Sequence, residues 1–403
     1  MNVYFHTFGC KANQYDTERV RAAFDAGGAV AVDDPALADL AVINSCTVTH
    51  ESEVKLRRLV RQVARKGAAQ TIVMGCAAAL DDGTIAALPS VRAVVANADP
   101  VHVLAAAGVD VRHAAGPRPG TRSRGLLKIQ DGCDEHCTFC ATTLARGANR
   151  SRPIAELVDE ARALAVHHAE IVLTGVHIGT YGHDMSHAAC RMSLGFLLEA
   201  LIHAVPTVRF RLSSVEATEV DDTIARLLIE APRHLAAHLH APLQSGSNRV
   251  LKRMGRHWYT AESYRARIEW LAERLPVFGL GADVIAGFPG ETDDDHRASL
   301  ALIQDLPFTY LHVFPFSVRP DAPATRLDGA VPPDVIRERA AELRRLGEAK
   351  GAAYRARRAG QTADGVVSGH QRGRVEVMTQ DYLSVYLDSE QWDGRPRLEV
   401  TVN

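Results

Sequence analysis

The sequence predicts an α/β protein in three parts: an N-terminal α/β domain built on a parallel sheet, a partial (β/α)6 barrel, and a small C-terminal antiparallel β module. Three observations support this prediction. Short apolar runs alternate with amphipathic stretches over most of the chain, which is the pattern of βαβ units. A segment rich in Pro, Gly and Arg interrupts the alternation once, and the end of the chain changes to the period-two pattern of antiparallel strands.

The first part, residues 1–112, is predicted to be the α/β domain. Its apolar runs predict strands that are buried on both faces, at 3–8, 40–44, 71–75 and 91–97. The amphipathic stretches 14–26 and 53–65 predict helices. Residues 113–124, HAAGPRPGTRSR, predict a linker. The arginines of this linker could contact RNA, but a solvated connector is the simpler interpretation.

The second part, residues 125–350, repeats the alternation on a larger scale. Its strands are predicted at 126–130, 170–175, 209–214, 238–244, 279–287 and 310–316. Six strands suit a partial barrel better than a closed barrel of eight. The charged helical stretch 333–358 leads out of the barrel into the third part, residues 351–403, where alternating segments predict the antiparallel module.

Composition narrows the class of protein. With 403 residues, 46% hydrophobic and 23% charged, the chain is long enough for two or three globular domains. It has no run of the roughly 20 apolar residues that a membrane helix needs. The start, MNVYFHTFGCKANQ, lacks the features of a secretory signal, so we expect a cytoplasmic protein whose seven cysteines are ligands or catalysts rather than disulfides. The net charge of −2 neither indicates nor excludes binding to nucleic acid.

The spacing CxxxCxxC places Cys133, Cys137 and Cys140 in one short loop after the first predicted barrel strand. Three such thiolates can hold three irons of a [4Fe–4S] cluster and leave the fourth iron without a protein ligand. An open metal position is typical of a catalytic centre, and catalytic residues gather at the carboxyl ends of barrel strands. The alternative is a structural zinc site in which His136 supplies the fourth ligand.

A second set of cysteines is spread over the first domain. Cys10, Cys46 and Cys76 each lie just beyond a predicted strand. The carboxyl ends of parallel strands meet at one edge of a sheet, so we expect the three thiols to converge there. Three convergent thiolates again suit a [4Fe–4S] cluster with one open iron. The alternative is three buried structural cysteines, because a free cysteine is commonly buried.

These motifs resemble known enzymes. GCDEHCTFC resembles the signature of the radical S-adenosylmethionine superfamily, which places an aromatic residue, here Phe139, beside the adenine of that cofactor. With TFGCKANQYDTE, INSCTVT and the ARG that ends at Gly147, the chain resembles the methylthiotransferases. Those enzymes join a three-cysteine domain to a radical S-adenosylmethionine barrel and a C-terminal TRAM module. LTGVHIGTYGHD, HLHAPLQSGSNRVLKRMGR and DVIAGFPGET are most similar to the type that acts on N6-threonylcarbamoyladenosine beside the tRNA anticodon.

The resemblance implies a tRNA methylthiotransferase that replaces C2–H of the modified adenine by a methylthio group through radical chemistry. It implies three cofactors: S-adenosylmethionine and two [4Fe–4S] clusters, one held by each set of cysteines. The implied partners are the anticodon stem-loop of tRNA, an electron donor such as flavodoxin or ferredoxin, and a sulfur donor that the sequence does not identify. Three alternatives stay open: isopentenyladenosine in tRNA as the substrate, an aspartate of a ribosomal protein as the substrate, and a non-enzymatic iron–sulfur RNA-binding protein.

The resemblance also implies cofactor-binding residues at the ends of the barrel strands. They are Phe139, Thr174, Gly175, Ser213, Glu216, Gln244, Gly287 and Pro289. Apart from Phe139, each of them could equally belong to an ordinary strand-end turn. Glu216 is favoured on electrostatic grounds, because a carboxylate attracts a cationic sulfonium.

Basic residues near the predicted site could position RNA, since phosphate contacts mainly orient a nucleic acid. Arg146 follows the iron-binding loop and could bind the cofactor carboxylate or an RNA phosphate. A basic run could guide the anticodon stem, or could be a solvated helix surface: Lys252, Arg253, Arg256 and His257. Cys190 lies in a polar insert with His183 and His187, where a free thiol is favoured over a metal site.

Overall fold

The N-terminal domain is a parallel α/β sheet, as predicted. The structure is a computed structural model that describes residues 1–47, 50–67, 70–110, 123–185, 192–319 and 322–403. The strands are β1 (Asn2–Thr7), β2 (Val30–Val32), β3 (Leu40–Ser45), β4 (Gln70–Gly75) and β5 (Val91–Val95), and the helices are α1 (Lys11–Ala26), α2 (His50–Lys66), α3 (Cys76–Ala79) and α4 (Pro100–Ala107). The strand order is β2-β1-β3-β4-β5, and every pair is parallel. The sequence did not indicate β2, a short edge strand that is largely exposed.

The second domain contains six parallel strands that form a partial barrel, which confirms the predicted fold class. The strands of this domain are β6 (Gly125–Lys128), β7 (Gln130–Asp131), β8 (Arg150–Ser151), β9 (Glu170–Thr174), β10 (Arg209–Leu212), β11 (His238–His240), β12 (Gly279–Ala286) and β13 (Tyr310–Pro315). The barrel sheets run β6-β9-β10 and β11-β12-β13, and bridges at Phe210–Leu235 and Ser214–His240 join them. β6 and β13 are thus the two edges of the barrel wall. β11 ends earlier than predicted, before Pro242, which has no N–H for a strand ladder.

Helices follow the barrel strands and cover the outside of the sheet. They are α5 (Thr142–Arg146), α6 (Ile154–Ala165), α7 (Leu194–Ala204), α8 (Asp222–Glu230), α9 (Asn248–Arg253), α10 (Ala261–Arg274), α11 (Asp293–Asp305) and α12 (Pro333–Arg358). Ser247, Thr260 and Thr292 begin three of them, and each side-chain oxygen accepts a backbone N–H of the first turn. Leu, Ile and Val side chains from strands and helices then form one continuous core. None of the described helices is long and apolar enough to cross a membrane.

The N-terminal domain contacts both edges of the barrel wall. On the β6 side, Tyr15 of α1 packs with Leu126, and the Nζ of Lys128 lies 2.5 Å from the Oδ1 of Asp16. On the β13 side, the Nη1 of Arg319 donates to the Oγ1 of Thr47 at 3.0 Å. These contacts join the domain to both ends of the open barrel wall.

The C-terminal module is an antiparallel sheet in the order β16-β15-β14-β17. Its strands are β14 (Thr362–Gln371), β15 (Arg374–Thr379), β16 (Ser384–Asp388) and β17 (Arg397–Thr401). The sequence did not indicate β14, because its glycines and a register shift between Val367 and Gly369 break the alternation. Two buried arginines, Arg209 and Arg211, pair with Glu170 at 2.7 and 2.9 Å and donate to carbonyls of this module. The module is thereby fixed to the barrel through buried charges.

Candidate active site

The first set of cysteines converges at the carboxyl edge of the N-terminal sheet, as predicted. Cys10 caps α1, Cys46 follows β3, and Cys76 begins α3 directly after β4. The Sγ atoms of Cys10 and Cys76 each lie 3.8 Å from the Oδ1 of Asn13. Gly9, at φ +100°, packs so closely on Cys46 that a Cβ there would lie 2.9 Å from its Sγ. Three thiols from three strand ends therefore surround one small volume.

The second set lies in the loop between β7 and α5. Each sulfur has its own polar neighbour: Cys133 Sγ lies 3.6 Å from the Nδ1 of His177, Cys137 Sγ accepts from the Nη1 of Arg256 at 3.4 Å, and Cys140 Sγ bonds the Oγ1 of Thr142 at 3.0 Å. The loop can turn because Gly132 adopts φ +74°, where a Cβ would lie 1.9 Å from the carbonyl oxygen of Ala148.

The spacing of the ligand atoms argues against a single zinc ion. Among the described residues, the groups of His, Cys, Asp and Glu ligand atoms that lie within 4.8 Å of one another contain no cysteine. A zinc ion bonds each sulfur at about 2.3 Å, so two sulfurs on one ion cannot lie more than about 4.6 Å apart. In a [4Fe–4S] cluster the thiolates would bond different irons, so they would not have to meet at one ion. Both sets fit a [4Fe–4S] cluster better than a zinc site.

Arg146 connects the two sets. Its Nε donates to the Sγ of Cys76 at 3.2 Å, and its Nη2 donates to Asn13 at 2.6 Å and to Asp16 at 3.0 Å. Its Nη1 donates to Asp131 at 2.8 Å, in the strand that leads to Cys133. The prediction placed Arg146 near a cofactor or phosphate, whereas in the structure its side chain is buried against the other domain.

Lys128 completes a network of two acids and two bases between the domains. Its Nζ bonds Asp16 at 2.5 Å and Asp131 at 2.9 Å, the same two carboxylates that Arg146 bonds. Burial raises the pKa of Asp131, but Lys128 and Arg146 together lower it to about 2. Burial also raises the pKa of the Cys76 thiol, and Arg146 opposes that shift. These ion pairs join the barrel, through Lys128, Asp131 and Arg146, to Asp16 of the N-terminal domain.

Glu216 is buried at the end of β10 and is already paired. It accepts hydrogen bonds from Arg256 and from the Nε1 of Trp258. Burial raises its pKa, and Arg256 opposes that shift. Arg256 also donates from its Nε to the hydroxyl of Tyr259 at 3.0 Å. Contact of Glu216 with a cofactor stays a prediction, and here its carboxylate orients the arginine that bonds Cys137.

The basic run at the end of α9 and just beyond it does not form one surface. Lys252 and His257 are exposed. Arg253 bonds the exposed side chain of Asp328. Arg256 is only 6% exposed, because the chain turns inward at Gly255, where φ is +78°. The expectation that all four residues face solvent or RNA is wrong for Arg256.

Phe139 and Gln244 line one cavity of about 180 Å3 at the carboxyl end of the barrel. The Phe139 ring meets Phe288 edge-on, with the ring centroids 6.5 Å apart. Gln244 adopts φ +62°, and its N–H donates to the carbonyl of Asp283 at 2.8 Å. The sequence thus selected two residues that the fold brings together, and their contact with a cofactor stays a prediction.

The other predicted cofactor residues are at strand ends with neighbours of their own. Thr174 is buried, and a Cβ on Gly175 would lie 2.8 Å from the carbonyl oxygen of Gln130. Ser213 is half-buried after β10. The space beside Gly287 is filled by Ile336, and the carbonyl of Pro289 accepts from the Nε of Arg253 at 3.1 Å. Their roles toward a cofactor stay predictions.

Sequence analysis missed His177, which lies between the second cysteine set and two carboxylates. Its Nδ1 faces Cys133, and its Nε2 lies 2.7 Å from the Oε1 of Glu219. Burial lowers its pKa, but the contacts with Cys133 and Glu219 raise it to about 10. Its position just after β9, at the same edge as the cysteines, was the available signal. Cys190, His187 and residues 113–122 of the predicted linker lie outside the described residues.

Comparison with known proteins agrees with this geometry. Residues 2–96 match the family described as "Uncharacterized protein family UPF0004", and residues 127–303 match the radical SAM superfamily. The chain is 38% identical over 363 residues to "Threonylcarbamoyladenosine tRNA methylthiotransferase MtaB" of Bacillus subtilis, covering 85% of this chain and 79% of that protein. It is 32% identical to "tRNA-2-methylthio-N(6)-dimethylallyladenosine synthase" of Zymomonas mobilis, covering 85% and 80%. The radical S-adenosylmethionine methyltransferase TsrM of Kitasatospora setae shares the fold, with a TM-score of 0.54 at 14% identity over 80% of this chain and 76% of that one.

The barrel with its three-cysteine loop defines a radical S-adenosylmethionine enzyme. Two further findings identify the family within this class of enzymes. They are the N-terminal domain with its own three cysteines and the relatives at 30–38% identity. The chain belongs to the methylthiotransferase family, and within it to the MtaB type. Its cofactors are S-adenosylmethionine and two [4Fe–4S] clusters.

Proposed function

We propose that this protein adds a methylthio group to C2 of N6-threonylcarbamoyladenosine beside the anticodon of tRNA. The observation that carries the proposal is the junction at Arg146, which bonds Cys76 in one domain and Asp131, two residues before Cys133, in the other. This junction supports the proposal because it links the segments that carry the two cysteine sets. A relative that is 38% identical over 85% of this chain carries that activity in its name.

The six cysteines are proposed as the cluster ligands. Cys133, Cys137 and Cys140 would hold the cluster that binds S-adenosylmethionine, and Cys10, Cys46 and Cys76 would hold the cluster that serves sulfur transfer. When bound, these groups supply the one-electron and radical chemistry that attack on an aromatic C–H bond requires. The protein contributes binding, orientation and electrostatics.

Two arginines would stabilise the negative charge that each cluster brings. Arg256 donates to Cys137 and Arg146 donates to Cys76, and both side chains are almost fully buried. Hydrogen bonds and positive charge at cluster sulfurs favour the reduced state and so raise the reduction potential. Each arginine is itself held by carboxylates, which fixes its direction.

The remaining roles follow from the position of each residue. Phe139 and Gln244, which share a cavity, are proposed to contact the adenosine part of S-adenosylmethionine. The proposed strand-end contacts are Thr174, Gly175, Ser213, Glu216, Gly287 and Pro289. The proposed domains are residues 1–112, 125–350 and 351–403, with a linker at 113–124. The proposed partners are the tRNA anticodon stem-loop and a flavodoxin or ferredoxin as electron donor, in the cytoplasm.

Anaerobic reconstitution of three proteins tests this function. Wild type should contain about eight irons per chain, release 5′-deoxyadenosine and convert RNA that carries threonylcarbamoyladenosine to its methylthio derivative. Replacing Cys10, Cys46 and Cys76 by Ala should leave about four irons and the release of 5′-deoxyadenosine, but no methylthio product. Replacing Cys133, Cys137 and Cys140 should also leave about four irons, but abolish both products.

Cys190→Ser is the matched control, since Cys190 belongs to neither set; it should retain iron, 5′-deoxyadenosine and product. Mass spectrometry of the nucleosides decides the substrate. Methylthio transfer to dimethylallyladenosine alone, the reaction in the name of the Zymomonas relative, would replace the proposed substrate.

A further inference from the structure

A polar group lies inside the barrel, apart from both cysteine sets. Asp283 of β12 is the register partner of His312 on β13, and its Oδ1 lies 3.2 Å from the Nδ1 of His312. The same oxygen lies 3.0 Å from the Nε2 of His240 on β11. The Nδ1 of His240 is in turn 3.0 Å from the hydroxyl of Tyr310. Three neighbouring strands therefore supply one connected row of polar side chains.

This row borders the cavity that contains Phe139 and Gln244. Asp283 lines that cavity, and so does Phe314, which lies two residues beyond His312 on the same face of β13. Arg319 lines it too. The Arg319 side chain is 9% exposed, and within the described part of the chain nothing hydrogen-bonds its Nε. The Nη atoms of Arg319 face Thr47 and Glu53, and a buried Nε without a hydrogen-bond partner indicates that a ligand completes the site.

His312 has one ring nitrogen fixed and one available. Burial raises the pKa of Asp283, but its hydrogen bonds with His240 and His312 hold it well below the usual range, so Asp283 is an anionic acceptor. The Nδ1 of His312 must then be the donor in that pair. The side chain is 57% exposed, and no described residue bonds its Nε2. That nitrogen accepts a hydrogen bond when the ring is neutral and donates one when the ring is protonated.

We propose that His312, oriented by Asp283 and His240, recognises the polar side chain of the modified adenine together with Arg319. This inference rests on the proposed function. A threonylcarbamoyl group carries a carboxylate, a hydroxyl and urea N–H groups, so it can satisfy the Arg319 Nε and either form of His312. A dimethylallyl group consists of carbon and hydrogen and would leave the buried Nε of Arg319 and the exposed Nε2 of His312 without a partner on the substrate. Sites built for hydrogen bonds reject such analogues strongly.

Binding of three anticodon stem-loop RNAs tests the assignment. They differ only at the target position, which carries threonylcarbamoyladenosine, dimethylallyladenosine or unmodified adenosine. Reconstituted wild type should bind the first at least about tenfold more tightly than the second. His312→Leu should reduce that ratio to about one to two, while affinity for the unmodified RNA stays the same. His312→Gln, which keeps a polar group, should retain part of the preference.

His203→Leu is the matched control, because His203 is an exposed histidine on α7; it should keep the full ratio. If both His312 variants keep the affinity ratio of wild type for the threonylcarbamoyl and dimethylallyl RNAs, the inference is wrong and the proposed function is unaffected. An equal loss of affinity for all three RNAs in both variants would also overturn the inference, because a general RNA contact does not distinguish the modified adenines. A wild type that does not prefer the threonylcarbamoyl RNA would also overturn the inference, whereas failure of the proposed function would appear as the absence of the methylthio product.

Discussion

At the scale of single residues, Arg256 shows how a buried charge can serve a cluster ligand. Its guanidinium bonds Cys137, Glu216 and the hydroxyl of Tyr259, all inside the barrel. Removing one partner of a buried ion pair leaves the other charge uncompensated, which costs about 3–5 kcal/mol. We expect Arg256→Met to lower the free energy of unfolding of the cluster-free protein by about that amount, as measured by urea denaturation.

Arg253→Met is the matched control, only three positions away. Arg253 pairs with Asp328, whose side chain is 92% exposed, and exposed pairs contribute less than about 1 kcal/mol. Equal losses in the two variants would show that Arg256 is no more important to the fold than an arginine whose ion-pair partner is exposed.

At the residue scale, the sequence predicted that Cys10, Cys46 and Cys76 converge, and the structure confirms it; their role as cluster ligands stays a prediction. The six cysteines were singled out because thiolates at strand ends have few other uses. The sequence did not predict the contacts of Asn13, Arg146 and His177, because their partners are distant in the sequence. Asn13 and Arg146 contact each other across a domain boundary. An arginine in a sequence does not reveal which carboxylate it will pair with.

At the scale of elements, Gly9 fixes where α1 begins relative to β3. It has φ +100°, and a Cβ would lie 2.9 Å from both the Cβ and the Sγ of Cys46. We expect Gly9→Ala to push Cys10 and Cys46 apart and to disrupt the N-terminal cluster. Iron content after reconstitution should fall from about eight to about four per chain, while 5′-deoxyadenosine release persists.

Gly28→Ala separates that collision from backbone strain. Gly28 follows the same helix at φ +80°, but nothing lies within 4 Å of a Cβ placed there. Both substitutions therefore strain the backbone, and only Gly9→Ala crowds a ligand. Full iron content in Gly9→Ala, or an equal loss in Gly28→Ala, would contradict this role.

Elements were predicted best where a strand is long, apolar and buried. β3, buried at all six positions, and β12 match their predicted ranges closely. β2 and β14 were missed for a physical reason. An exposed edge strand and a strand with glycines and a bulge are stabilised by pairing with distant neighbours, which local periodicity does not report.

At the scale of the whole molecule, buried charges hold the three parts together. Glu170 is fully buried between Arg209 and Arg211, which also bond the C-terminal module. Burial raises the pKa of Glu170, but the arginines hold it far below the usual range. A carboxyl with a depressed pKa stabilises the fold above its unfolded pKa of about 4.3, and that contribution is lost as the pH falls further.

Glu170→Gln should therefore be much less stable than wild type at pH 7, and the difference should shrink as the pH falls below about 4.3. Urea denaturation of cluster-free protein between about pH 3.5 and 7 measures this difference in the free energy of unfolding. Glu156→Gln is the control, because Glu156 is 62% exposed and lies 3.9 Å from Arg152. A difference for Glu170→Gln that does not change with pH would contradict this linkage.

The contact between the N-terminal domain and the barrel depends on Asp16, which bonds both Lys128 and Arg146. Asp16→Asn removes one of the two negative charges and leaves two buried cations with Asp131 alone. Because the cysteine loop is intact, release of 5′-deoxyadenosine should continue, whereas methylthio transfer needs both domains in register and should fall at least about tenfold. The measured quantity is methylthio product per 5′-deoxyadenosine. Asp25→Asn, an exposed acid on the same helix, should leave this ratio unchanged. A parallel fall of both products in Asp16→Asn would show that Asp16 supports the barrel itself and not the alignment of the two domains.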